Sequence, residues 1–281
     1  MKIVNIFDEI EKVDPEIYER LNPRRKAMKD FLSMGSKMAL AAVPLGLGSM
    51  LNKAYGQAVP AGVIAVLQYA LTLEHLEYRF YERGAALAPI PAGVEKTAIE
   101  QIRDSELKHV NFLKTVITAA GATPVAEKAV YDFTAQGTFP TVFTSYATFL
   151  AVAQVLEDTG VRAYKGRAGE LLGQKVYLTA ALGIHAVEAR HAAKIRYMRR
   201  VNGQAPAIKP WITGGNDTGI AAANGNYGGA TPESNTSQAG VPITGLAGVN
   251  GNISTNAATE AFDEPLTAAE VLALVAPFGV S

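Results

Sequence analysis

The chain has 281 residues, no cysteine, and 26 basic against 26 acidic side chains. Lack of cysteine excludes disulfides, thiolate nucleophiles, iron–sulfur clusters and Cys-ligated zinc. A net charge of zero argues against broad nucleic-acid binding, which needs a basic surplus to neutralise phosphate, whereas 48% hydrophobic residues suffice for a core.

The zero hides a segregation. Residues 1–22 carry a net −3, residues 23–57 a net +5, residues 58–205 a net +3 and residues 206–281 a net −5, with no Lys or Arg after Lys209. These shifts coincide with changes in texture. They divide the chain into an N-terminal segment (1–57), a central region (58–205) and a C-terminal region (206–281).

In the N-terminal segment, Ile3, Ile6, Ile10, Val13 and Ile17 recur at helical spacing with acids between them, as in an amphipathic helix. Arg24-Arg25 then precedes Phe31-Leu32, an apolar stretch from Met38 to Leu51 and the small-residue region Ala54-Tyr55-Gly56. This resembles a twin-arginine export signal. Phe31 lies further from the arginines than the usual pattern has it, and Lys37 intrudes near the apolar run. The other reading is a pair of retained helices. An apolar run of 14 residues falls short of the roughly 20 that span a bilayer. The expectation is an exported periplasmic or cell-envelope protein of a bacterium, not integral to the membrane once processed.

The central region holds four long segments of helical character, at about 61–88, 94–120, 142–167 and 173–201. Gly121 with Pro124 marks the end of the second, and Asn202-Gly203 the end of the fourth. Sustained alternation is absent here. Two short links and one long one describe an all-α four-helix bundle with a single long crossover.

The four segments are two copies of one hairpin. Leu73-Glu74 is followed by Tyr81, and Leu156-Glu157 by Tyr164, at an offset of 83. Glu106-Leu107-Lys108-His109 and Glu188-Ala189-Arg190-His191 repeat at an offset of 82. The repeat also selects Glu74 over Glu77, because Glu157 aligns with the former and Gly160 with the latter.

Residues three apart share a helix face, so each Glu-x-x-His can turn inward as a unit. Glu74 and Glu106 each lie 15 residues from the turn at Pro89–Pro91, about 22 Å along their helices and hence at one height. The second hairpin behaves alike. One Glu from each of two helices and a Glu-x-x-His from each of the others therefore converge at mid-bundle, the di-metal carboxylate arrangement. Four carboxylates balance two divalent ions, two imidazoles complete the donors, and hard oxygen with some nitrogen suits iron or manganese. The expected ligands are Glu74, Glu106, His109, Glu157, Glu188 and His191. The expected cofactors are two iron ions, two manganese ions or a mixed pair.

Neighbouring residues carry open alternatives. His75 should point off the ligand face. His185 and Glu77 each lie one turn from a ligand and either extend the site or do not. Tyr81 and Tyr164 read as core packing, with a supporting role at the site as the alternative. Ala70, Ala153 and Gly160 would leave room near the acids.

On these motifs residues 58–205 resemble the ferritin-like superfamily, and more narrowly the exported ferritin-like domain proteins related to plant desiccation-related protein. Ala261-Phe262-Asp263-Glu264-Pro265-Leu266 and Glu270-Val271-Leu272 resemble that group's C-terminal segment. The resemblance implies ligand roles for the same six residues, with Glu106 and Glu188 bridging. It also implies a peroxidase, catalase or ferroxidase type of activity, acting on a small oxidant or a metal ion. The alternative is a non-catalytic stress or envelope protein whose metal braces the fold.

Residues 212–261 are rich in Gly, Asn, Thr, Ser and Ala, a composition that cannot build its own core. They are expected to be disordered or to form an arm over the bundle or a neighbouring subunit, and a homo-oligomer formed through this arm is expected. Leu266, Val271, Leu274 and Val275 then recover apolar spacing, and Thr267 before Glu270 predicts a capped short helix.

Overall fold

The computed structural model describes residues 59–215, 219–249 and 251–280. The predicted N-terminal helix and export signal lie outside the described residues. Among the described residues no helix is long and apolar enough to cross a membrane.

Four long helices form the frame: α1 (Ala61–Leu87), α2 (Val94–Ala119), α3 (Tyr146–Ala168) and α4 (Lys175–Val201). Each boundary has a local cause. α1 starts after Pro60 and stops where Ala88, ahead of Pro89, turns extended, as residues before proline prefer. α2 ends on Gly121 at φ +79°, with the Ala122 N–H reaching the Ile117 carbonyl at 3.1 Å, a glycine-terminated cap. Expected from 142, α3 begins at Tyr146. The Ser145 side chain accepts from the Thr148 N–H and caps the helix there, while Val142 is drawn into the core of the crossover.

α1 packs along α2, and α3 along α4. The two hairpins then meet through α1 against α3 and α2 against α4. The crossover of residues 120–145 is no loose loop. Its Tyr131, Phe133 and Val142 join the core, where Phe80 stacks on Phe149 at 5.0 Å between ring centres and meets Phe133 edge-on at 5.5 Å.

α3 is buried on every side from Phe149 to Tyr164, as expected for a helix without a continuous polar face. α1 and α4 cover one side and the C-terminal region the other. That region contains two short antiparallel hairpins, β1 (Ser237–Gln238) with β2 (Val241–Pro242) and β3 (Ala247–Gly248) with β4 (Gly251–Asn252). Two short helices follow, α5 (Thr255–Glu260) and α6 (Ala268–Val275). The predicted capping box is present at α6, with Thr267 and Glu270 exchanging hydrogen bonds.

A buried polar layer holds this region to the bundle of its own chain. Arg162 on α3 is fully buried. It donates to the carbonyls of Asn226, Gly228, Thr231 and Glu264 and pairs with Glu233 at 2.7 Å. Four residues earlier, Asp158 takes both a bidentate Arg196 (3.0 and 2.6 Å) and the Tyr227 hydroxyl. Gly166 is where the arm's backbone touches α3, and a Cβ there would overlap the Leu266 carbonyl. An arm poor in apolar side chains is thus fixed through its carbonyls, which a buried guanidinium can satisfy several at a time.

Candidate metal centre

The six predicted ligand residues come together at mid-bundle. Glu74 on α1, Glu106 and His109 on α2, Glu157 on α3, and Glu188 and His191 on α4 are all buried, the carboxylates completely and the imidazoles at 8% exposure. They form two groups, each with ligand atoms within 4.8 Å of one another. One is Glu74, Glu106, His109 and Glu188; the other is Glu106, Glu157, Glu188 and His191. Glu106 and Glu188 are shared.

Both imidazoles turn Nδ1 toward the acids. His109 Nδ1 lies 3.1 Å from Glu74 Oε2, 3.0 Å from Glu106 Oε2 and 3.2 Å from Glu188 Oε1. His191 Nδ1 lies 2.6 Å from Glu106 Oε1 and 3.5 Å from Glu157 Oε2. Glu106 therefore offers one oxygen to each histidine. The rings stand 6.1 Å apart.

Electrostatics show how unusual this interior is. Burial lifts the Glu74 carboxyl to about 7 despite the His109 beside it. Burial, followed by repulsion from Glu106 and Glu74, pushes Glu188 well above the usual carboxylate range. Burial also raises Glu157. For Glu106 burial acts in the same direction, but hydrogen bonds from both imidazoles outweigh it and hold the group down to about 2. Burial disfavours the charged form of His191, yet Glu157 and Glu106 overcome it and move the ring up to about 11. Carboxylates this concentrated and this dry stay ionised only beside positive charge.

The donor set fits metal ions. Glu188 Oε2 is buried with no hydrogen-bond partner among the described residues, while Glu106 Oε1, Glu188 Oε1 and Glu157 Oε2 each have an imidazole Nδ1 nearby, at 2.6, 3.2 and 3.5 Å. A buried oxygen left open among carboxylates and imidazoles suits a cation. The buried Glu and His clusters are capable of holding a metal.

Two tyrosines do more than pack. Tyr81 on α1 donates to Glu157 Oε1 at 2.5 Å, and Tyr164 on α3 donates to Glu74 Oε1. Each hairpin's tyrosine thus steadies the single Glu of the other hairpin. The packing reading of the sequence understated them, although their repetition seven residues after each single Glu was the signal.

The remaining candidates separate. His75 is buried on the far side of α1, with Nδ1 3.9 Å from Glu127. His185 belongs to neither group, and burial holds its ring below the usual imidazole range. Glu77 is buried beside the centre, also outside both groups.

Residues 62–200 match the family model of the ferritin-like domain. A search of curated proteins found no match.

Proposed function

We propose that the ferritin-like domain spanning residues 62–200 holds two redox-active ions, iron, manganese or one of each, and handles peroxide, oxygen or Fe(II) outside the cytoplasm. The observation that carries this reading is the sharing of Glu106 and Glu188 between two buried four-residue groups. Glu74 and His109 would hold one ion and Glu157 and His191 the other, with Glu106 and Glu188 available to both. A bound pair of this kind supplies reversible electron transfer to a small oxidant.

The chain's own contribution is charge, orientation and dryness. Four carboxylates offset two divalent ions, so the loaded centre is close to neutral and tolerates burial. Tyr81 and Tyr164 hold the two unshared carboxylates at fixed angles through one oxygen and leave the other oxygen for coordination. The apolar side chains around the centre, among them Leu73, Leu76, Leu156 and Val110, limit water and strengthen each interaction inside. Export would follow from Arg24-Arg25 and the apolar run after it.

Elemental analysis of loaded protein should find about two ions per chain, and finding none would end the reading. Peroxide consumption and Fe(II) oxidation should both be measured with iron-loaded and manganese-loaded samples. At least one rate should exceed that of free ions, and Glu157→Gln should slow it more than it destabilises the fold. If neither rate rises while metal removal still lowers the melting temperature, the site braces the fold and the catalytic reading fails. Replacing both Arg24 and Arg25 with Lys should leave the chain in the cytoplasmic fraction, and unchanged fractionation would refute export by this signal.

A further inference from the structure

We infer that Glu77 is a seventh ligand that reaches one ion only, from the space it shares with Glu188. The inference rests on the dinuclear reading above.

The starting point is a break in the internal symmetry. Each ligand has a counterpart in the other hairpin, but Glu77 is matched by Gly160. The structure makes this mismatch useful. A Cβ on Gly160 would stand 3.1 Å from Glu77 Oε1 and 3.1 Å from Glu188 Oε2. The two carboxylates therefore border one space that exists because α3 carries no side chain there. Glu188 Oε2 is fully buried, has no hydrogen-bond partner among the described residues and faces that space.

Glu77 and Glu188 thus face each other across Gly160, and Glu188 belongs to both groups. Among the described residues no Lys, Arg or His forms an ion pair with Glu77. Keeping a buried carboxylate ionised with no cationic side chain beside it is costly, and a metal ion beside Glu188 would supply the missing charge.

A cavity of about 10 Å³, roughly the space of one water, adjoins Glu77 and Gly160 between Leu73, Leu76, Leu156 and Val275 of α6. The consequence of a seventh ligand is inequivalence. Four carboxylates offset two divalent ions, and the fifth adds negative charge on one side alone. The ion that Glu77 reaches is then bound more tightly than its neighbour.

The test is titration of metal-free protein with Mn(II), followed by calorimetry, for the parent, Glu77→Gln and Gly160→Ala. The parent should take up two ions. Glu77→Gln should still take up two, with one step weakened by about tenfold or more and the other unchanged. Gly160→Ala keeps every carboxylate but places a methyl group against Glu77 and Glu188, and should weaken the same step. It carries the test alone if Glu77→Gln fails to fold by circular dichroism. If the parent takes up two ions and folded Glu77→Gln binds both with unaltered constants, the seventh-ligand role is refuted while the dinuclear reading stands. If Gly160→Ala has to decide and leaves both constants unaltered, the role is equally refuted. A parent that binds fewer than two ions fails the dinuclear reading itself.

Discussion

The paired tyrosines offer a test with a built-in control. Tyr81→Phe removes the donor to Glu157, and Tyr164→Phe removes the donor to Glu74. The tyrosines are nearly or fully buried and the acids fully so, so no solvent stands ready to replace the lost bond. A hydrogen bond to a charged acceptor contributes about 1.5–3 kcal/mol, and loss of such support behind a metal ligand costs roughly 10–100-fold in affinity. The removed hydroxyl is a single atom and the ring stays, so core packing is kept and the metal-free fold should survive. Calorimetric titration with Mn(II) should then show one weakened step in each variant. The weakened step should differ between them, because Glu157 and Glu74 fall in different groups. The double variant should weaken both steps nearly additively. If either single variant leaves both steps unchanged, or if both weaken the same step, the assignment of one tyrosine and one unshared Glu to each ion is wrong.

Three further outcomes follow from the same geometry. Arg162→Met leaves Glu233 buried without its partner and four carbonyls without a donor, a loss of about 3–5 kcal/mol; hydrogen exchange should show residues 219–266 losing protection while α1, α2 and α4 keep theirs, and retained protection would refute the anchoring role. Chelation should lower the melting temperature, since ligand at about 100 times its dissociation constant stabilises by about 2.7 kcal/mol, or roughly 5–10 °C for a chain of this size; an unchanged melting temperature would mean that no metal is bound to the folded form. Glu270 is held below its usual range by hydrogen bonds from Thr267 and Ala230, so its contribution is complete above the ordinary carboxylate value near 4.3 and fades as pH falls through the lower folded one. Protection of α6 should therefore decline between about pH 5 and pH 3, and Glu270→Gln should show the reduced protection already at pH 5.

Much of the frame was legible because helices write themselves locally. The cap at Thr267, the stop at Gly121 and the Glu-x-x-His spacing depend on neighbours a few residues away, and an offset of 82 or 83 makes the two hairpins visible without any coordinates. Given two antiparallel hairpins of known length, the height of each acid follows from the rise per residue. What spacing cannot reveal is which way a side chain points once two helices face each other. His185 and Glu77 both lie one turn from a predicted ligand, yet Glu77 comes up to Glu188 across Gly160 while His185 joins neither group.

The C-terminal region shows the other limit. Its Gly and Asn content argues correctly that it cannot form a core, but composition counts side chains, and this region is held mainly through its backbone. Only the fold brings Arg162 against four carbonyls spread over residues 226–264 and places Gly166 where the Leu266 carbonyl can approach. By itself the sequence determined the helices, their duplication and the donor set, since these rest on periodicity and residue chemistry. Tertiary structure alone decided the crossed Tyr–Glu pairs, the space that Glu77 and Glu188 share above Gly160, and the arm's place on α3. Each of these joins groups far apart in the chain, whose meeting depends on how whole helices pack rather than on what precedes or follows any one residue.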